Sequence, residues 1–170
     1  MKSMAAVLMF LMAVPAAAHG PTPRKTDQSI LIKASVADVW KKLGDPCAIV
    51  DWHPDIAGCQ SPDAKKRVLT LKNGGVITEE FDEVQEADST ISYRLVGEVD
   101  ARAIAVSSLN GRIRLVPDGD QVKVSWMARY YRAFTGNEPP AGQDDDSAQS
   151  AVDAYIKSGL EGLQGLLGRK

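Results

Sequence analysis

A long central stretch in which apolar residues recur at every second position constrains the fold most. Such alternation, found in several segments between Lys65 and Tyr131, is typical of strands that bury one face. Turn signals such as Asn73-Gly74-Gly75 separate these segments, which indicates hairpins. The sequence therefore predicts an antiparallel meander. Its predicted strands are Arg67 to Leu71, Val76 to Phe81, Thr90 to Val96, Ala103 to Leu109, Gly111 to Val116 and Val122 to Tyr131.

Helical patterns lie on both sides of the meander. Ser29 to Ala34 reads as a first strand, and a helix that Ser35 can cap follows it. Cys47 to Ile56 indicates a second short helix ending near Pro54, because a residue before proline disfavours helix. A final helix, predicted from Ser147 onward, carries one apolar stripe. Its members are Val152, Ile156, Leu160, Leu163 and Leu167. This order predicts an α+β helix-grip fold, in which a curved antiparallel sheet wraps around a long C-terminal helix.

The first residues have the pattern of a cleavable signal peptide. Lys2 precedes an apolar run from Met4 to Val14, and three alanines ending at Ala18 suit signal peptidase. The run is too short to span a bilayer as an anchor helix. We therefore predict export to the periplasm or secretion, with 1–18 as signal peptide, 19–28 as an N-terminal arm and 29–170 as one domain.

Two cysteines, Cys47 and Cys59, are twelve positions apart. In an oxidising compartment they are predicted to form a disulfide, the alternative being two separate buried thiols. No second Cys or His pair completes a metal-ligand set, so we predict no metal and no cofactor. With 20 basic against 22 acidic residues, the chain has no overall positive charge that would attract nucleic acid.

Glu79 and His53 are the candidate acid and base. Alternation places Glu79 on one face with Ile77 and Phe81, where burial would perturb its pKa. The alternatives are a carboxylate at the rim or one paired with Arg67 or Arg94. His53, at the corner before Pro54, could act as a general base or orient a ligand, or could instead cap a helix. The absence of a neighbouring nucleophile disfavours a hydrolase.

Aromatic side chains gather near the end of the last predicted strand, where a helix-grip cavity would open. Trp126, Tyr130, Tyr131 and Phe134 suit an apolar ligand or a protein partner there. The alternative places Trp126 in the core and the tyrosines over the sheet edge. Glycines recur every third position in the last helix, at Gly159, Gly162, Gly165 and Gly168. They indicate either close approach to a neighbour or a weak C-terminus.

Several short motifs carry a family resemblance. They are Val39-Trp40, Asp51-Trp52-His53-Pro54, Gly75, Ile77 and Glu79 within Arg67 to Phe81, Tyr93, Trp126 and Gly159-Leu160. From about Ile30 to Leu167 the chain resembles the START/Bet v 1-like superfamily, in its polyketide cyclase/dehydrase and lipid-transport group. Its exported form is similar to the periplasmic accessory proteins encoded with methanol dehydrogenase. That similarity implies a helper of the interaction between the dehydrogenase and its cytochrome.

These observations together predict an exported, non-enzymatic binding or accessory protein with an apolar cavity. The predicted ligand-binding residues are Trp52, His53, Glu79, Tyr93, Trp126 and Tyr130. The expected partner is an apolar small molecule or a periplasmic oxidoreductase. One alternative is a cyclase- or dehydratase-like enzyme that uses His53 and Glu79 in the cavity. Another is an assembly partner with a packed interior and an exposed apolar patch.

Overall fold

The structure is a computed structural model that describes residues 20–168. The predicted signal peptide and His19 lie outside the described residues. The elements in chain order are β1 Arg24–Ile32, α1 Val36–Leu43, α2 Ile49–Trp52, β2 Ile56–Asp63, β3 Lys66–Leu71, β4 Val76–Gln85, β5 Thr90–Leu95, β6 Val106–Asp118, β7 Gln121–Arg132 and α3 Asp145–Leu167.

The strands form one antiparallel sheet in the order β1-β7-β6-β5-β4-β3-β2. β1 and β2 therefore lie at opposite edges, and the chain passes from one edge to the other through α1 and α2. The helix α3 packs against β1, β7 and α2. The predicted helix-grip fold is confirmed, with the long last helix on the concave face of the sheet.

The core lies between α3 and this concave face. β4 turns Ile77, Glu79 and Phe81 inward, as its alternation predicts. β7 does the same with a longer series: Val122, Val124, Trp126, Ala128, Tyr130 and Arg132. The buried side of α3 is wider than the predicted stripe, because Ala148, Tyr155 and Gly159 are buried beside it. Polar groups on the inward faces consequently lie within an otherwise apolar core.

The first strand begins inside the N-terminal arm predicted over 19–28. β1 begins at Arg24, and Arg24 pairs with Tyr130 of β7. The first residues of this strand are polar, so they lack the apolar alternation by which a strand is recognised. The inward position among them is filled by Thr26, a polar side chain that forms hydrogen bonds in the interior.

Two further elements differ from prediction. β2 was missed because its sequence is polar and rich in small residues, and the predicted second helix is reduced to Ile49–Trp52. The two strands predicted around Asn110 are one strand, β6. Gly111 lies within β6, and the ring of Tyr93 leaves no room there for a side chain. A Cβ on Gly111 would come within 2.2 Å of Cζ of Tyr93.

Caps and a disulfide fix the helical segments. Ser35 caps α1 as predicted, and Asp144 caps α3 by accepting from the Ser147 N–H at 2.7 Å. The predicted disulfide between Cys47 and Cys59 is present and joins the loop before α2 to β2. Within residues 20–168, none of the helices is long and apolar enough to cross a membrane.

Candidate functional site

The corner between α2 and β2 lies directly against α3. α2 ends at Trp52, and His53 has extended backbone angles that turn the chain toward β2. Two glycines of α3 make room for this turn. A Cβ on Gly162 would lie 1.9 Å from the Trp52 carbonyl oxygen, and one on Gly159 would lie 2.7 Å from Cδ2 of His53. Close approach, one of the two interpretations of the glycine series, therefore applies to both residues.

Four aromatic rings meet at this contact. We call Trp52, His53, Trp126 and Tyr155 the aromatic corner. The His53 and Tyr155 rings are 4.3 Å apart between centroids, and Trp126 meets His53 at 6.1 Å in an edge-to-face arrangement. Trp52 and Trp126 also meet edge to face, at 6.1 Å. Elements distant in sequence, α2, β7 and α3, thus contribute to one buried cluster.

His53 is buried, and only one of its ring nitrogens is paired. The Asp55 N–H donates to Nδ1 at 3.2 Å. Nε2 is buried and has no hydrogen-bond partner among the described residues. Burial lowers the pKa of His53 to about 4, with Arg67 acting in the same direction and Asp55 in the opposite one. The backbone of Tyr155 also acts to raise this pKa. The imidazole is therefore neutral at neutral pH.

Tyr155 was not predicted as a site residue. Its hydroxyl is buried and also lacks a partner within residues 20–168. Burial, reinforced by the Glu79 carboxylate, raises the pKa of Tyr155 well above its usual value, so the hydroxyl keeps its proton. One sequence signal pointed to an inward position, because Tyr155 follows Val152 by three residues and precedes Gly159 by four.

Glu79 forms a buried ion pair with Arg67, which faces it across β3 and β4. Nε of Arg67 donates to Oε2 of Glu79 at 2.6 Å, and Nη1 donates to the Pro46 carbonyl at 2.9 Å. The side chains are 5% and 1% exposed. Burial alone lowers the pKa of Arg67, but the Glu79 carboxylate raises it above its usual value. Arg67 therefore keeps its charge and pairs with the Glu79 carboxylate, which is the structural pairing that the sequence offered as an alternative.

Tyr93 and Trp126 are bonded to each other. The indole N–H of Trp126 donates to the Tyr93 hydroxyl at 2.9 Å. Burial raises the pKa of Tyr93, so this hydroxyl is also protonated. The ring of Tyr93 covers Gly111 on the neighbouring strand. These contacts place Tyr93 on the concave face beside Trp126 of the aromatic corner.

Tyr130, the remaining predicted ligand residue, belongs to a separate group near the start of α3. Its hydroxyl pairs with Oγ1 of Thr26 at 3.0 Å, and Thr26 donates to Oδ1 of Asp153 at 2.6 Å. Gln149 donates to the other oxygen of Asp153 at 3.2 Å. We call Thr26, Tyr130, Gln149 and Asp153 the bonded cluster. Each of its hydroxyl and carboxylate groups has a partner inside the protein.

The side chains between α3 and the sheet are buried. His53, Tyr93 and Trp126 are at most 2% exposed. Outside the aromatic corner, an open groove of about 350 Å³ runs between α2 and the C-terminal half of α3. Its apolar wall includes Val50 and Leu166, both more than two-fifths exposed. The groove is lined by Val50, Asp51, Trp52, His53, Pro54, Ile56, Lys72, Gly162, Gly165 and Leu166.

The structure therefore brings five of the six predicted ligand residues together and separates Tyr130 from them. Tyr131 and Phe134 are more than a third exposed and lie outside the corner. In the part of the chain that the structure describes, no three His, Cys, Asp or Glu side chains are grouped so that they could hold a metal ion.

Comparison with known families gives one match along nearly the whole domain. The sequence model of a family described as polyketide cyclase / dehydrase and lipid transport matches residues 23–168. No curated protein sequence matches the chain significantly.

Solved structures share the fold at low sequence identity. The chain is similar to the ZhuI aromatase/cyclase from Streptomyces sp. R1128 with a TM-score of 0.72 and 15% identity, covering 87% of this chain and 95% of that one. An uncharacterized protein from Bacillus thuringiensis gives 0.71 and 19%, covering 85% and 98%. A START superfamily protein from Mycobacterium smegmatis gives 0.67 and 16%, covering 84% and 96%.

Proposed function

Because the chain belongs to the polyketide cyclase/dehydrase and lipid transport family, we propose that it binds a small, mainly apolar organic molecule at the aromatic corner, between α3 and the concave face of the sheet. One observation carries the proposal. Nε2 of His53 and the hydroxyl of Tyr155 are both buried without a hydrogen-bond partner among residues 20–168.

Unpaired buried polar atoms are expensive for a folded protein. Each costs about 1–3 kcal/mol relative to a bonded group, and native structures contain few of them. Two such atoms on rings only 4.3 Å apart therefore form a local concentration of unmet hydrogen-bonding capacity. A ligand that bonds either atom would recover part of this cost, which supports a binding role for the corner.

The groove between α2 and α3 offers the route. It contains His53 in its lining and has apolar walls at Val50 and Leu166. Gly162 and Gly165 keep its helix side free of side chains. Because His53 is only 2% exposed, a ligand reaches its Nε2 only when the corner and α3 move apart.

Catalysis by His53 and Glu79 is the alternative function, and the ion pair argues against it. The Glu79 carboxylate is already engaged by the guanidinium of Arg67, which donates to it at 2.6 Å within a buried ion pair. It would have to leave Arg67 before it could serve as an acid. Binding requires no such step, so we favour a non-enzymatic carrier or sensor.

The role in periplasmic methanol oxidation stays a prediction from resemblance. That role would require a protein partner that recognises an outer surface, whereas the aromatic corner and the ion pair lie between α3 and the sheet. Purification from the natural host distinguishes these roles. A retained small molecule supports the binding proposal, and a dehydrogenase or cytochrome that co-purifies with ligand-free protein supports the accessory role.

The test is native mass spectrometry of the purified protein, followed by organic extraction and identification of any released molecule. We expect a bound apolar compound in the wild-type protein. Gly165→Phe should reduce its occupancy by placing a ring in the groove. Ala154→Phe is the matched control, because Ala154 is an exposed residue of the same helix outside the groove lining. Ligand-free wild-type protein that also fails to bind extracts of its host would contradict the proposal.

A further inference from the structure

The outer face of the sheet, opposite α3, carries positive charges on its two longest strands, β6 and β7. Outward positions alternate with buried ones along both strands. The register places Lys123 diagonally next to Arg114. Arg129 lies in the same relation to Arg112, and such diagonal neighbours are roughly 7–8 Å apart. We call these four exposed residues, Arg112, Arg114, Lys123 and Arg129, the basic face.

The basic face has no matching counter-charges in the part of the chain that the structure describes. The side chains of Arg114, Lys123 and Arg129 form no ion pair and no hydrogen bond among residues 20–168. Arg112 donates to the hydroxyl of Ser92 at 3.1 Å, which is a neutral partner. Cations within about one Debye length, roughly 8 Å at physiological salt, repel one another. The group therefore brings the folded chain a cost that no described contact offsets.

Nearby carboxylates are engaged by other cations. Arg94 of β5 pairs with Glu80 and Asp82 of β4. Lys25 pairs with Asp27 on β1. The positive charge on β6 and β7 is therefore local, and it stands out in a chain whose net charge is −2.

The basic face also has relief that could receive a side chain from outside. An open hollow of about 620 Å³ lies on it, between β4 and β7. Its positive side is formed by two arginines of the basic face, and Glu83 lines the side that belongs to β4. Neutral Ser92, Asn110 and Met127 lie in the lining with them. A carboxylate placed on the arginine side would meet two cations and several neutral neighbours.

The residue types favour a protein partner over a membrane. Arginine forks bind carboxylates through two parallel hydrogen bonds. Arginine, methionine and tyrosine are enriched in protein interfaces and lysine is depleted. The basic face has three arginines and one lysine, with Met127 beside Arg112 in the register and exposed Tyr131 two residues after Arg129. A convex sheet would also touch a flat bilayer only along a narrow band.

We infer that the basic face docks an acidic surface of another protein, whose carboxylates accept hydrogen bonds from Arg112, Arg114 and Arg129. The inference goes beyond the proposed function, because this surface lies on the opposite side of the sheet from the aromatic corner. Either can hold without the other.

The first probe is a fluorescein-labelled peptide of alternating glutamate and serine. In an extended chain its carboxylates are about 7 Å apart, which matches the spacing of the cations. Fluorescence anisotropy at low ionic strength measures its affinity. We expect wild type to bind it, and Arg112→Gln/Arg114→Gln/Arg129→Gln to bind it about tenfold more weakly, because three exposed charge contacts are lost.

A second triple variant controls for net charge. Lys41→Gln/Lys65→Gln/Lys157→Gln removes three exposed cations outside β6 and β7, and it should bind the peptide as wild type does. Equal weakening in the two triple variants would show that only total charge matters and would overturn the inference. Wild-type protein that does not bind the peptide would overturn it as well.

Two further measurements exclude other roles for the basic face. Urea unfolding should show the arginine triple variant to be as stable as wild type, since its substitutions relieve repulsion; a clear loss of stability would make these residues structural and contradict docking. Co-sedimentation with phosphatidylcholine vesicles that contain phosphatidylglycerol tests the membrane. Vesicle binding that wild type shows and the arginine variant loses would assign the face to an anionic bilayer instead of a protein.

Discussion

Two regions of the contact between α3 and the sheet differ in whether their buried polar groups are hydrogen-bonded. At the N-terminal end, the bonded cluster pairs Tyr130, Thr26 and Asp153 in one continuous chain of hydrogen bonds. In the middle of the helix, the aromatic corner buries His53 Nε2 and the Tyr155 hydroxyl with no partner in the described chain. Tyr130 and His53 are both at most 2% exposed, so burial alone does not explain the difference.

The contrast separates a structural role from a functional one. A polar group that is bonded inside the fold contributes to stability, whereas an unpaired one lowers it. Native proteins keep buried, unpaired polar groups mainly at functional sites. Removing a polar group should therefore lower the free energy of unfolding in the bonded cluster and raise it in the aromatic corner. The ion pair between Arg67 and Glu79 should respond like the bonded cluster.

The largest effect is expected at the ion pair. Glu79→Leu leaves the Arg67 cation buried without its counter-charge, and the free energy of unfolding should fall by about 4 kcal/mol. Urea denaturation followed by circular dichroism measures the change. The double variant Arg67→Met/Glu79→Leu is the control and should recover most of the loss. A Glu79→Leu protein as stable as wild type would show that the ion pair does not stabilise the fold as the bonded cluster does.

Acid should destabilise the protein through His53. The pKa of His53 is about 4 in the folded protein and about 6.5 in the unfolded chain. As the pH falls below 6.5 the unfolded chain takes up the proton first, so stability present at neutral pH is lost between pH 6.5 and 4. The loss should approach about 3 kcal/mol.

Denaturation at pH 7 and pH 4.5 measures this loss, and His53→Asn is the comparison protein. That variant should lose less stability than wild type over the same interval, because its side chain does not titrate. Identical pH profiles for the two proteins would place the proton uptake elsewhere and weaken the assignment of a neutral imidazole.

A glycine of α3 tests how closely the corner contacts the helix. Gly162→Ala should lower the free energy of unfolding by about 2 kcal/mol, because its Cβ would overlap the Trp52 carbonyl oxygen. Helix propensity alone predicts a gain of about 1 kcal/mol. Ser150→Ala, at an exposed position of the same helix, should show only the propensity effect. A stabilised Gly162→Ala protein would mean that the contact is looser.

The smallest effect compares two tyrosines directly. Tyr130→Phe removes a bonded hydroxyl and should lower the free energy of unfolding by about 1 kcal/mol, whereas Tyr155→Phe removes an unpaired one and should raise it by about 1 kcal/mol. Thermal or urea unfolding of both variants in parallel gives the sign of each change. Losses of equal size at both positions would remove the distinction between the two clusters.

The fold could be predicted where apolar periodicity was strong. The inward face of β4, with Glu79 on it, followed from alternation, and the single long helix followed from its apolar stripe. β2 and the first half of β1 could not be predicted, since hydrogen bonding to neighbouring strands stabilises them rather than an apolar pattern of their own.

The candidate site could be predicted only in part. Trp52 and His53 stood out as an aromatic and an imidazole beside a proline, and Arg67 was named as a partner for Glu79. Tyr155 did not stand out because a tyrosine among apolar helix positions reads as core. Whether its hydroxyl has a partner depends on the packing of α2, β7 and α3, which the sequence does not encode locally.

The two glycines of α3 also restrict how the corner can open. Gly159 and Gly162 face His53 and the Trp52 carbonyl with no space for a side chain. If α3 slid along its axis or rotated by one residue, Ser158 or Glu161 would be driven into that contact. The helix and the corner can therefore separate only by moving directly apart, across the groove, with the disulfide at Cys47 holding the other end of the α2 segment in place.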